Sequence, residues 1–210
     1  MMRALVIYCH PKETSFTAAV RDRVLDKLTS AGAEVRVRDL YQGAFDPVMT
    51  PQEFDGYATA PANRLPVAGD VRDVLWCNTM IFVYPTWWYG MPAMLKGWLD
   101  RVLLPEVAFL LPDAHSAAIR AGLTHVTALG VFTTCGASWG MTQLIGAPGK
   151  RTLLRGVRAI CARNCKTVYA AHYRMDRSTE ASRQAHLERV ARKMDRFIGT
   201  RVTARSEAKA

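Results

Sequence analysis

Three aromatic side chains stand in succession at Trp87, Trp88 and Tyr89, between Pro85–Thr86 and Gly90. A short apolar run from Met80 leads to Tyr84 and halts at Pro85; Gly90 and Pro92 lead out into an amphipathic segment. Large aromatic rings are costly to keep wet, and three in a row cannot all point into one core. In an open parallel sheet, the loop just past a strand's carboxyl end is where ligands bind. The chemistry such a loop can serve is the holding of a flat, π-rich cofactor.

Two other segments carry residues of the same kind of interest. The run Cys9-His10-Pro11-Lys12-Glu13-Thr14-Ser15-Phe16-Thr17 leads straight into a helical pattern. Hydroxyls and free backbone N–H groups at a helix start make an anion site, which the helix dipole strengthens. Lys12 and His10 would add positive charge. The plainer alternative is that Thr14 or Ser15 is only an N-cap. The segment holds no glycine, so it is neither a dinucleotide fingerprint nor a P-loop. Farther on, Thr133-Thr134-Cys135-Gly136 opens a stretch of small residues. Small residues let the backbone approach a ring closely, although a plain turn after a strand would look alike.

Elements must bring these segments together. Residues 4–9 form an almost unbroken apolar run, as suits a strand covered on both faces. Residues 16–30 show helical spacing, with Gly32 just beyond. Residues 34–38 alternate like an outer strand. Strands are also predicted over 79–84, 126–133 and 167–172, and helices over about 68–77, 92–103, 150–162 and 179–198. Ser178 is the expected N-cap of the last helix, and Thr50 with Glu53 matches a capping box. Strands alternating with helices predict an α/β, doubly wound, five-stranded parallel sheet of flavodoxin-like order 2-1-3-4-5. One domain over 1–200 is expected, with a disordered basic tail at 201–210.

Composition narrows the classes. The chain of 210 residues is half apolar, enough for a sizeable core. No stretch of about 18 uncharged apolar residues occurs, so no spanning helix is expected. The start MMRALVIYCH lacks a long hydrophobic region and a small-residue cleavage site, and reads as a first strand. Five cysteines without a C-x-x-C pair read as free thiols in a reducing cytoplasm, with no metal site. The formal net charge of +10 is uneven: residues 1–149 sum to −1 and residues 150–210 to +11. Acidic residues interrupt the basic runs, and no helix-turn-helix or zinc pattern accompanies them. A solvated helix face is therefore expected, not a nucleic-acid interface.

The HPKETSF loop, the block YPTWWYGMPAMLKGWLDRV and the TTCG loop together resemble the flavodoxin-like NAD(P)H:quinone oxidoreductases. These are the relatives of DT-diaphorase and of the bacterial modulator-of-drug-activity quinone reductases. The likeness extends over roughly residues 3–172. It implies a homodimeric flavoenzyme carrying FAD or FMN. NAD(P)H is then the cosubstrate, a quinone or similar small molecule the acceptor, and the kinetics ping-pong. Carried over by position, His10, Ser15, Phe16 and Thr17 match the phosphate loop. Pro85, Thr86, Trp87, Trp88 and Tyr89 match one ring-binding loop, and Thr133, Thr134, Cys135 and Gly136 the other. Phe109 and Trp139 fall where the substrate pocket is expected.

One departure stands out. DT-diaphorase has a Tyr and a His after the fourth-strand loop; the corresponding SWGMTQLIGAPG has neither. No acid–base residue is therefore named. Two competing readings accompany the enzyme: an ancillary subunit of a potassium efflux system docking through the basic last helix, and a one-electron carrier like true flavodoxins. The basic charge speaks against the carrier.

Overall fold

An apolar run with no solvent face to offer becomes the central strand β1 (Arg3–Tyr8), buried from Ala4 onward. The computed structural model describes residues 1–114 and 116–207, the last eight by backbone alone. After β1 come α1 (Phe16–Ser30), β2 (Glu34–Asp39), the short α2 (Pro51–Asp55), α3 (Ala68–Trp76), β3 (Thr79–Thr86) and α4 (Ala93–Val102). A hairpin of β4 (Phe109–Leu110) and β5 (Arg120–Ala121) interrupts the pattern inside what the sequence leaves as a long connection. Then follow β6 (Ala128–Cys135), α5 (Trp139–Leu144), α6 (Pro148–Arg151), β7 (Lys166–His172) and α7 (Glu180–Glu207).

Five strands pair in parallel in the order β2-β1-β3-β6-β7, the expected topology once the hairpin is set aside. β3 and β6 lie innermost with β1, and each is buried along nearly its whole length. Side chains alternate between two cores. Phe82, Tyr84 and Val131 face one, under α3 and α4. Ile81, Val83 and Phe132 face the other, against α1 and α7. Gly97 of α4 lies so close to Pro47 that an added Cβ would sit 2.2 Å from the Pro47 carbonyl oxygen. That contact explains a glycine in the middle of a helix.

Capping residues decide the helix ends. Ser15 caps α1, and Thr50 with Glu53 forms the expected box at α2. For the last helix the cap is Thr179, not Ser178. Thr179 Oγ1 accepts from the Ser182 N–H at 3.2 Å, and Ser182 Oγ accepts from the Thr179 N–H at 3.0 Å. The reciprocal pair needs a hydroxyl three residues on, which Ser182 supplies only to Thr179. α7 continues to Glu207, past the expected end at Ile198. The remainder of the expected tail, 208–210, lies outside the described residues. The helix expected from 150 begins at Pro148, a residue suited to a first helical position, and widens into a π turn over Thr152–Val157.

One buried carboxylate joins three elements on the α3–α4 side. Asp70 of α3 accepts from Trp98 Nε1 of α4 at 2.7 Å and from Arg38 Nη2 of β2 at 2.8 Å. Removing it strands an indole N–H and a guanidinium. Asp70→Ala is therefore expected to lower stability by about 3 kcal/mol, read from urea unfolding, with Asp70→Asn losing less. An unchanged midpoint would show that the three elements hold together without it.

Candidate functional site

β3 runs two residues past its expected end at Tyr84, pairing Pro85 with Thr134 and Thr86 with Cys135 of β6. Proline withholds no needed bond when its nitrogen faces away from the ladder. The extension places the aromatic loop directly over the end of β6. There Thr86 Oγ1 and Thr133 Oγ1 are 2.8 Å apart. Thr17, at the start of α1, reaches the same place: its Oγ1 lies 3.0 Å from Thr134 Oγ1, both side chains buried. Three loops far apart in sequence thus meet at one rim of the sheet.

The aromatic loop turns tightly. Gly90 N–H donates to the Trp87 carbonyl at 2.9 Å. Trp88 and Tyr89, the two central residues, have φ of +49° and +62°. Positive φ at both positions is the pattern of a type I′ turn, which favours Asn and Gly. Two bulky aromatics here cost about 1 kcal/mol each or more. Trp88 is 95% exposed, so within one chain no packing repays the strain at that residue, whereas Tyr89 is half-buried.

Beside this turn lies a cleft of about 640 Å³, within the range of small-molecule sites. Pro85 to Tyr89 form one wall and Thr134 to Ala137 the other; Met175 and Asp176 close the end. A broad apolar-and-aromatic wall facing small residues suits a planar ring.

At the rim, α1 presents its N-terminus. Ser15 Oγ accepts from the Ala18 N–H at 3.1 Å, and the Ala19 N–H closes on the Ser15 carbonyl. The amides of Phe16 and Thr17, in the first turn, are the orphan donors left for an anion. His10 differs from expectation. His10 Nδ1 lies 3.0 Å from the Lys12 nitrogen and 3.1 Å from the Lys12 carbonyl oxygen, so the backbone of Lys12 holds the ring in place in either tautomer. Burial lowers the pKa of this histidine, which works against the positive charge expected of it. Lys12 is exposed.

Of the expected site residues, Pro85, Thr86, Trp87, Trp88, Tyr89, Thr134, Cys135 and Gly136 line the cleft, and Thr17 touches it through Thr134. Thr133 faces a neighbouring recess. The Phe16 ring turns away to meet His172 edge-on at 5.2 Å; only its backbone faces the anion site. Phe109 and Trp139 are not brought to the cleft. Phe109 sits in the β4–β5 hairpin and packs on the core, and Trp139 stands exposed at the start of α5. Position in a loop sets neither side chain's direction. Sequence reasoning missed Met175 and Asp176, and with them Tyr84, Lys150, Tyr169 and Tyr173, which line the recess. The two-residue spacing of Tyr169, Ala171 and Tyr173 was the available signal, since such spacing points side chains the same way along β7 (Lys166–His172) and at the residue just past its end.

The chain matches the family model described as "Flavodoxin-like fold" over residues 2–198. It belongs to this family. Among curated proteins it is 29% identical over 170 residues to "NAD(P)H dehydrogenase [quinone] 1" of Cavia porcellus, covering 73% of this chain and 60% of that one. It is 34% identical over 114 residues to "Uncharacterized NAD(P)H oxidoreductase YcaK" of Escherichia coli (strain K12), covering 54% and 57%. The chain thus spans less than two thirds of the length of the curated relatives it matches. In fold it is similar to the solved "NAD(P)H:quinone oxidoreductase from Methanothermobacter marburgensis". That likeness has a TM-score of 0.77 and 21% identity, covering 92% of this chain and 97% of the other. Among the described residues no helix is long and apolar enough to cross a membrane.

Proposed function

We propose that this flavodoxin-like chain is a flavin-dependent NAD(P)H oxidoreductase that reduces quinones or related small acceptors. The 3.0 Å contact between Thr17 and Thr134 carries the reading, because it ties the anion-binding start of α1 to the floor of the aromatic cleft. A flavin nucleotide, FAD or FMN, joins a phosphate to a planar ring through a ribityl chain, so it needs an anion site adjoining a ring-shaped cleft. Phe16 and Thr17 would hold the phosphate through their amides, and Trp87 to Tyr89 would flank the ring. Gly136 and Ala137 would let its far edge meet backbone. When bound, the flavin supplies reversible hydride chemistry between NAD(P)H and the acceptor. The chain supplies position, a dry wall and hydrogen bonds. Names of relatives sharing part of this chain support the same activity.

The deciding experiment is to reconstitute the purified protein with FAD or FMN and follow NAD(P)H absorbance on adding quinone. Quinone-dependent oxidation is expected, with parallel double-reciprocal plots for a ping-pong sequence. A chain that keeps flavin and shows no turnover overturns the reading.

A homodimer belongs to the same proposal. Trp88, Trp139 and Leu144 expose 95%, 64% and 81% of their surface. Exposed large apolar side chains of this kind suit an interface, and a second copy could cover Trp88 at the cleft together with Trp139 and Leu144 of α5. Trp88 separates function from folding. Trp88→Asn puts a residue that tolerates positive φ into the turn. Stability is expected to hold or to rise by about 0.5 kcal/mol, while flavin retention or turnover falls several-fold. A loss of stability with unchanged turnover would make the indole ordinary packing.

A further inference from the structure

Beside the cleft, and sharing Thr86, Tyr89 and Cys135 with it, lies a second and far smaller recess. It offers about 10 Å³ against about 640 Å³ for the cleft. Room for about one water excludes any substrate. Its lining is nonetheless unusually rich in hydroxyls: Tyr84, Tyr169, Tyr173, Thr133 and Thr142, with Lys150 among them.

These groups are in register. Tyr84 on β3 pairs with Thr133 on β6, and Thr133 with Ala171 on β7, so Tyr169 stands one strand over, and Tyr173, just past the end of β7, lines the same recess. Burial pushes the Tyr169 phenol up, and Tyr173, then Tyr84 and Cys135, add smaller effects of the same sign. Burial likewise pushes Tyr84 up. Neither phenol rests as a phenolate, so each can give a proton only as it takes one. Lys150 Nζ lies 4.8 Å from the centre of the Tyr169 ring, a cation that favours negative charge passing through. The recess ends beneath the aromatic turn. A Cβ on Gly149 would sit 3.1 Å from the Tyr84 hydroxyl and 3.3 Å from the Gly90 carbonyl carbon. From there the Thr133–Thr86 hydroxyl pair, 2.8 Å apart, leads to the cleft wall.

The reaction proposed above needs such a feature. Quinone plus NAD(P)H plus one proton gives hydroquinone plus NAD(P)⁺. Hydride brings two electrons and one proton; the second oxygen takes its proton from elsewhere. No histidine lines the cleft, and Asp176 is its one carboxylate among the described residues.

We propose that Tyr173, Tyr169 and Tyr84, with Lys150 beside them, form a proton path that reaches the bound acceptor through the Thr133 and Thr86 hydroxyls. The inference rests on the oxidoreductase reading. Each hydroxyl on the path accepts one proton from the solvent side and donates one toward the cleft, so none changes charge over a turnover. Tyr169 and Tyr173 are positioning residues; the Thr86 hydroxyl faces the acceptor.

The test compares two acceptors in reconstituted Tyr173→Phe and Tyr169→Phe. Ferricyanide takes single electrons and needs no proton, whereas a benzoquinone needs one. The ratio of quinone to ferricyanide turnover is expected to fall by roughly tenfold or more. The double variant should lose no more than either single one, because both interrupt one path. A ratio within about twofold of the unsubstituted chain overturns the path alone. An unsubstituted chain that oxidises NAD(P)H with neither acceptor overturns the oxidoreductase reading and the path with it. A second readout needs no turnover. In flavin-free protein carrying [13Cζ]tyrosine, Tyr173→Phe should move the phenol signals of Tyr169 and Tyr84. Unmoved signals would mean that the hydroxyls do not communicate, and would also overturn the path.

Discussion

Ser15→Asp is expected to weaken flavin binding by roughly 30-fold, about 2 kcal/mol, while the fold stays intact. The two halves of this result have separate causes. Aspartate is as good an N-cap as serine, so it can accept from the Ala18 N–H that Ser15 Oγ now holds at 3.1 Å. Helix α1 therefore keeps its start, and the negative charge suits the helix dipole. The same carboxylate, however, sits where the Phe16 and Thr17 amides would meet a phosphate. Two negative charges about 4 Å apart repel by several kcal/mol at the effective dielectric of a protein surface. Counterions and small shifts reduce that figure by about half. Equilibrium dialysis or fluorescence titration with FMN and FAD measures the affinity, and circular dichroism checks the helix. Unchanged affinity for both nucleotides would remove the phosphate from this end of the site, and the proposed function would lose its anchor.

The second large effect concerns a residue outside the cleft. His186 on α7 is wholly buried, and neither ring nitrogen has a hydrogen-bond partner. It faces His172 of β7 with ring centres 5.1 Å apart, and Phe16 of α1 at 5.9 Å. Burial, then the nearby His172 and Arg189, lower its pKa to about 3. An unfolded histidine titrates near 6.5. Between those values the unfolded chain holds a proton that the folded chain refuses, so stability falls as pH drops from 6.5 toward 3. From pH 7.5 to pH 5 this one group accounts for about 2 kcal/mol.

His186→Leu should flatten that dependence. At pH 7.5 the variant is expected to be more stable by about 1 kcal/mol, since two unpaired polar atoms leave the core. At pH 5 the advantage should widen to about 3 kcal/mol. Urea unfolding at the two pH values measures both. Equal gains at the two would mean that His186 takes up its proton in the folded state. Nothing in the proposed chemistry uses this histidine, so flavin binding by the variant should be unaltered.

Much of the architecture was legible from residue order. Every sheet strand appears within about two residues of its predicted bounds: the inner strands must be apolar runs because both faces are buried, and the outer β2 shows an alternating pattern. The β4–β5 hairpin was not legible. Its strands are two residues each, too short for any period to show. The last helix was placed well only at its start: it runs on to Glu207, past the expected end at Ile198, and its cap was off by one residue, because Ser178 and Thr179 both carry suitable hydroxyls. Only Thr179 stands three residues from Ser182.

The site divides the same way. Residue types and their place after strands were enough to pick out the three loops, since aromatic and small residues there serve few other ends. Chain order could not orient the side chains. Phe16 turns its ring to the two histidines, Phe109 packs on the core, and burial lowers the pKa of His10. Apart from the spacing of Tyr169 and Tyr173, the tyrosine recess leaves no mark along the chain, for Tyr84, Lys150 and Tyr169 lie on β3, α6 and β7 and Tyr173 just past β7, up to 89 residues apart. Local patterning records what each segment must bury, and so it specifies elements, topology and the loops at the rim. Which groups then touch depends on strand register and on helices closing over the sheet. Those distances come into being only when the chain has folded, as with the 3.0 Å between Thr17 and Thr134.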